Sequence, residues 1–470
     1  MPTKKRYVKE LISILVLVII VGGLLVGAML FGNSDWRLEL FARSETVYII
    51  LILAIILPPI IIALIVGVHK RNKENSELPR YALELAESVI PRVEAERAAA
   101  AEAPFVTEEE RAPRFYMLTE TDARMRAETE TGYDEEITLS DICERFRRFC
   151  AANMNLYYDI SDIRRFISSL TVTHLIIMQG MSGTGKTSLA YAFGEFMQNQ
   201  SVIVPIQPMW KERTDLIGYY NEFTKRFNET VLLQKMYEAN YSKSMYVTVL
   251  DEMNIARVEY YFAEFLSLLE IPDPNKRYLD VVSDKWENDP ILLRDGQIKL
   301  PMNMWFMGTV NNDDSTFAIS DKVYDRAMVM NLDMKFEAFK AEKCEPIKLS
   351  AEYFERLATQ AREDYAISNR NLRRIARLDE YLIETFRITF GNRIMKQIKG
   401  YVPVMIACGG NELDAIDDIL SKKVLRKLEA QNPVYVKSMA ESVCNYLDEL
   451  FGQDSMPLCK EYLHRLERNA

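Results

Sequence analysis

The sequence predicts an α/β domain built around a phosphate-binding loop, with a helical region after it and two membrane-spanning segments before it. Three observations carry that reading. The first is Gly180-Met181-Ser182-Gly183-Thr184-Gly185-Lys186-Thr187, which has the G-x-x-x-x-G-K-[ST] form. The second is a set of short apolar, β-prone runs at 175–178, 246–250 and 304–310, each bounded by polar residues at its end. The third is a pair of uncharged apolar runs, 11–31 and 47–68.

Taken in order, each of those two runs has about 20 residues, enough for a helix to cross a hydrocarbon core of roughly 30 Å. Pro58-Pro59 should kink the second. Lys4, Lys5, Arg6 and Lys9 precede the first run, and Lys70, Arg71 and Lys73 follow the second. The loop between them sets Arg37 and Arg43 against Asp35, Glu39 and Glu45. That asymmetry places both chain ends in the cytoplasm and the loop outside, so residues 1–71 are expected to be a two-helix hairpin in the lipid bilayer. A signal peptide cleaved at Val26-Gly27-Ala28 is the alternative, and it too leaves everything after His69 cytosolic.

Residues 72–138 change character. They are rich in Ala, Glu and Arg, with Glu108-Glu109-Glu110 between Pro104 and Pro113, and read as a solvated linker. Ser140 is the expected N-cap of a helix through Ile142, Phe146 and Phe149, and a second helix is expected around 160–170.

Composition excludes several classes. With a net charge of −10, the 470-residue chain is unsuited to binding nucleic acid over its whole surface. Its six cysteines include no C-x-x-C pair, which disfavours a zinc site or a disulfide framework. Three histidines leave little material for a histidine-based nucleophilic triad.

The loop itself has a physical logic. Glycines allow successive backbone N–H groups to turn inward around phosphate oxygens along a path that a Cβ would obstruct. Lys186 adds a point charge, the Thr187 hydroxyl can sit on Mg²⁺, and Ser188 follows in the first turn of the helix. That helix is marked by Leu189, Ala192, Phe193, Phe196 and Met197, so phosphates would lie at its N-terminus. Residues Gly180 to Ser188 are therefore read as a nucleotide site.

The run 246–250 ends in Asp251-Glu252. One carboxylate there can hold the metal and its neighbour can polarise the attacking water, so Asp251 is assigned to Mg²⁺ and Glu252 to general base. The run 304–310 ends at Asn311-Asn312-Asp313, where Asn311 can position the water against the γ-phosphate. Arg326, shortly before the β-prone residues 329–332, is a candidate arginine finger for a neighbouring subunit's site, with a simple salt bridge as its alternative.

The order of these elements resembles an AAA+ ATPase. The string 250–262 (LDEMNIARVEYYF), Gln207-Pro208-Met209-Trp210 before Asp215-Leu216-Ile217-Gly218-Tyr219, and Gly308-Thr309-Val310-Asn311 after an expected hairpin at 291–301 resemble its McrB-like branch. The resemblance implies a five-stranded parallel αβα domain (139–334), an all-helical lid within 335–470, and a homo-oligomeric ring, commonly hexameric. It also implies a sensor arginine in the lid, for which Arg370 and Arg393 compete. Arg257 could reach a neighbour or simply pair on its own helix.

The nucleotide expected is ATP with Mg²⁺, GTP being the alternative because McrB itself uses it. Periodic apolar residues from Leu372 to Val424 read as lid core, with Gly409-Gly410 ending a helix, and the final segment with Val443, Leu447, Leu450 and Leu463 reads as another helix or two packed on the lid. The expected activity is that of a membrane-anchored ATPase that remodels or moves a partner protein or nucleic acid, any effector being a separate protein. The alternatives are a nucleotide-gated membrane scaffold and a GTP-driven motor serving a nuclease.

Overall fold

The structure is a computed structural model, and it describes residues 113–127, 132–311, 316–332 and 336–469. The two apolar runs 11–31 and 47–68, and most of the linker, lie outside those residues. Among the described residues no helix is long and apolar enough to cross a membrane.

Five strands form one parallel sheet: β1 (Leu175–Gln179), β2 (Val202–Pro205), β5 (Tyr246–Asp251), β8 (Met304–Val310) and β9 (Met328–Asn331), in the spatial order β2-β5-β8-β1-β9. Their runs are mostly apolar because both faces are covered. Alternate residues supply two separate cores. Ile176, Met178, Val247, Val249, Trp305 and Met307 face one side with the rings of Phe146, Phe166, Phe193 and Phe196. Leu175, Ile177, Tyr246, Leu250, Met304 and Phe306 face the other with Phe262 and Phe265.

The first face is covered by α2 (Leu139–Met154), α3 (Ile160–Leu170) and α4 (Lys186–Phe196). The cap of α2 differs from expectation. Thr138, not Ser140, closes the helix: its Oγ1 accepts from the Asp141 amide and the Asp141 carboxylate accepts from the Thr138 amide, both at 3.2 Å. Asp141 lies three residues after Thr138, the spacing a reciprocal cap requires.

Two antiparallel hairpins are inserted on the second face. One pairs β3 (Gly218–Asn221) with β4 (Arg226–Glu229), between the short α5 (Arg213–Ile217) and α6 (Val231–Ala239). The other pairs β6 (Tyr278–Asp280) with β7 (Gln297–Lys299). The turn at Asp295-Gly296 falls inside the expected 291–301 segment, but the first strand begins well before it. Between β5 and β6 run α7 (Val258–Tyr261) and α8 (Ala263–Glu270), and α9 (Asp321–Tyr324) precedes β9.

The end of the expected solvated linker is instead packed. Arg114 is buried and bonds both carboxylate oxygens of Asp289, at 2.7 Å each, and Asp284 at 2.9 Å, with its guanidinium 4.6 Å from the Trp286 ring centre. The Glu229 carboxylate receives the amides of Tyr116, Met117 and Leu118 at the start of α1 (Met117–Ala127). Asp122 accepts from the hydroxyls of Tyr237 and Tyr241 and from the Ile291 amide. Acidic residues that looked solvated thus have distant partners.

After β9 the chain is helical: α10 (Ala351–Asp364), α11 (Asn369–Phe386), α12 (Gly391–Ala407), α13 (Glu412–Lys423), α14 (Pro433–Phe451) and α15 (Pro457–Asn469). Helices α11 to α15 enclose a third core. Helix α10 does not share it: Phe354, Ala358 and Ala361 pack with the sheet's first face.

Candidate functional site

Strand order positions the site. β8 lies between β5 and β1, so the carboxyl ends of three adjacent strands present Asp251-Glu252, Asn311 and the loop from Gly180 side by side. Ligand chemistry in open α/β sheets gathers at such an edge. The loop needs its glycines here, since Gly183 and Gly185 stand at φ +77° and +91°. A Cβ on Gly185 would also come within 3.0 Å of the Tyr158 hydroxyl, which donates to the Gly185 carbonyl at 2.9 Å. Tyr158, from the turn before α3, is thus a support of the loop.

The helix α4 opens at Lys186, directing its first free amides toward the loop. Lys186 is buried, and its Nζ donates to the carbonyls of Gly180 at 2.9 Å and Met181 at 2.8 Å. The Thr187 hydroxyl donates to Asp251 Oδ1 at 2.8 Å. The same oxygen accepts from the Thr309 hydroxyl at 2.8 Å, and Thr309 Oγ1 accepts from the Glu252 amide at 2.8 Å. Asn311 Nδ2 approaches Glu252 Oε1 at 3.4 Å.

The residues expected to hold metal, Thr187 and Asp251, therefore touch across 64 residues of chain. A hydroxyl oxygen and one carboxylate oxygen are a donor set suited to Mg²⁺, which takes its remaining ligands from phosphate and water. Glu252 adopts the left-handed conformation, φ +53° and ψ +48°, with its side chain exposed over the edge. Asn254 is buried beneath and donates to the carbonyl of Asn311 at 3.0 Å, fixing the turn that carries the amide.

A cavity of about 450 Å³ opens beside the loop, between Gly180, Asn311, Tyr324 and the helical region. Its cations are Arg426 and Arg465, neither singled out from sequence. Arg426 stacks 3.5 Å from the Tyr324 ring centre and pairs with Asp321. Arg465 lies 4.6 Å from the Tyr462 ring centre and makes no ion pair among the described residues.

The two expected sensor arginines lie elsewhere. Arg370 is exposed in the first turn of α11. Arg393, in the first turn of α12, pairs with Glu270. Arg326 reaches the same carboxylate, its Nη2 2.6 Å from Glu270 Oε2, so the salt bridge is present. The hydrogen bond from Arg326 and the two guanidinium charges hold the Glu270 carboxyl below the usual carboxylate range. Arg257 lies over the rings of Phe317 and Tyr260, at 5.2 and 5.8 Å from their centres.

Residues 175–327 match the family model of the AAA domain of the dynein-related subfamily. No curated protein matches the chain. Among solved structures, a candidate ATPase from Cytophaga hutchinsonii is 13% identical at a TM-score of 0.45, the match covering 70% of this chain and 96% of the other. A full-length MCM homolog from Methanopyrus kandleri is 10% identical at a TM-score of 0.36, covering 62% of this chain and 61% of the other. Both are distant likenesses.

Proposed function

Starting from a P-loop ATPase with an AAA domain at residues 175–327, we propose that the chain is a membrane-anchored ring motor. Its hydrolysis, at the interfaces between copies, remodels or moves a partner macromolecule. The observation that carries the hydrolytic part is the run of contacts Thr187–Asp251–Thr309–Glu252–Asn311, which links the nucleotide loop to two strand ends.

In this reading the loop amides and Lys186 hold the β- and γ-phosphates. Thr187 and Asp251 would hold Mg²⁺, which would supply positive charge to the phosphates. Glu252 takes the proton of the attacking water and Asn311 orients that water. Thr309 sets both carboxylates by bonding Asp251 and the Glu252 amide at once. Arg426 and Arg465 face the triphosphate from the helical region, and Arg326 serves the site of the next copy.

Support for the anchor is the pair of apolar runs 11–31 and 47–68 with their flanking basic residues. Support for the McrB-like branch is the string 250–262, and ATP is the proposed nucleotide. The test is Glu252→Gln in the full chain: nucleotide binding should persist while turnover falls by about 10²-fold or more. Turnover at the wild-type rate refutes the assignment. A chain that keeps its cellular function with Glu252→Gln and loses it with Lys186→Ala is a nucleotide-gated scaffold instead.

A further inference from the structure

Glu270 ends α8 and is the meeting point of two arginines from different parts of the fold. Arg326 arrives from the turn between α9 and β9, with Nη2 at 2.6 Å, and Arg393 arrives from the first turn of α12. Two guanidinium groups on one carboxylate leave a net positive charge. The three side chains are 23%, 49% and 31% exposed for Arg326, Arg393 and Glu270, so that charge faces outward.

Arg326 has donor capacity to spare. Among the described residues its Nε is buried with no acceptor, and its Nη1 reaches only the Lys322 carbonyl, at 3.3 Å. The backbone carrying it is tightly held. Lys423 donates to the carbonyls of Tyr324 and Ala327 at 2.6 Å each, and Gln397 donates to the Asp325 carbonyl at 3.1 Å. A fixed backbone under an incompletely bonded side chain confines any rearrangement to the guanidinium. The pairs that hold it are partly exposed, and such pairs are weak.

We propose that Glu270 is a positioning residue: in a copy without a neighbour it holds Arg326 and Arg393 together, and it yields both to the triphosphate of an adjoining copy. A triphosphate presents several charged acceptor oxygens where Glu270 presents two, so it can satisfy the donors that Glu270 leaves idle. The inference rests on the ring reading above and adds to it a competitor that makes assembly harder than contact alone would. Asp325, beside Arg326, faces Lys423 and is engaged through its carbonyl.

The experiment uses the full chain in detergent micelles. Specific ATPase activity is followed against protein concentration, with sedimentation at the same concentrations, for wild type, Glu270→Gln and Glu270→Asp. Removing the competing charge should lower the half-maximal protein concentration about three- to fivefold, as expected for a weak exposed pair. The maximal rate should stay within about twofold, Glu270→Asp should behave as wild type, and added salt should narrow the gap. An unchanged concentration dependence overturns the proposal, and so does a maximal rate that falls with Glu270→Gln. A wild type fully active as a monomer and indifferent to Arg326→Ala overturns the ring reading itself, whatever Glu270→Gln does, and the proposal with it.

Discussion

In the proposed mechanism Glu252 combines a strained backbone with the role of general base, and a pair of substitutions separates the two. Its backbone stands at φ +53° and ψ +48°, in a region that costs a residue with a Cβ about 1–2 kcal/mol. The conformation persists because the Glu252 amide is tied to Thr309 Oγ1 at 2.8 Å and the adjacent Met253 is fully buried. Glycine at this position relieves the strain and keeps the amide bond. Against this, glycine restores freedom to the unfolded chain, worth about 0.5–1 kcal/mol. The net expectation for Glu252→Gly is a gain of between about 0 and 1.5 kcal/mol. At about 2.1 cal/mol/K per residue over roughly 350 residues, that is a rise in Tm of at most about 2 °C. Glu252→Gln keeps both the strain and the shape, so its stability should match wild type. Hydrolysis should fall about 10²-fold or more in both variants. Thermal and urea unfolding of nucleotide-free protein, read beside phosphate release, checks the pair. A Glu252→Gly protein clearly less stable than Glu252→Gln, or one that still hydrolyses ATP, refutes the claim that a strained base is held for its chemistry.

Other expectations follow from neighbouring packing. Gly308 lies on β8 where an added Cβ would stand 1.9 Å from the Met253 sulfur, in a fully buried setting. Gly308→Ala should cost about 1–3 kcal/mol and displace the adjoining Glu252, lowering turnover about tenfold while nucleotide binding is kept. Arg114→Ala strands Asp289, whose side chain is 5% exposed, and should cost about 3 kcal/mol, read as faster hydrogen exchange across 114–127 with hydrolysis unchanged. Lys423 is pushed down from 10.5 to about 7, first by burial and then by Arg426, Arg393 and Lys427, against the pull of Asp325. Between those values the unfolded chain holds a proton that the fold has released, so stability rises with pH from about 7 upward. Wild type should therefore gain on Lys423→Met between pH 7 and 9, and a flat difference in urea midpoints would contradict the downward push that burial gives this amine.

Much of the nucleotide site was legible because its chemistry is local. The loop's glycines must take positive φ, and the strands that frame it are apolar on both faces, so short stretches announce themselves. What escaped depends on distant partners. Arg114 reads as one more charge in a polar linker, since its carboxylates lie 170 and 175 residues away. Arg426 lies in the short 3₁₀ segment between α13 and α14 and Arg465 on α15, where the apolar stripe foretells only packing, and their approach to Gly180 comes from the way the helical region folds back. Tyr158 and Thr309 gave no signal beyond their place in the elements around the loop. The cap of α2 was within reach, because Thr138 has an acidic residue at the reciprocal spacing and Ser140 has Cys143 there.

The arm at 114–127 has a mechanical consequence. Its bonds go to β4, to α6 and to the segment 284–291 that leads into β7, and among the described residues none goes to the phosphate loop. A displacement of the 114–127 arm therefore meets the two inserted hairpins and α6 before it meets the strands that carry the phosphate loop.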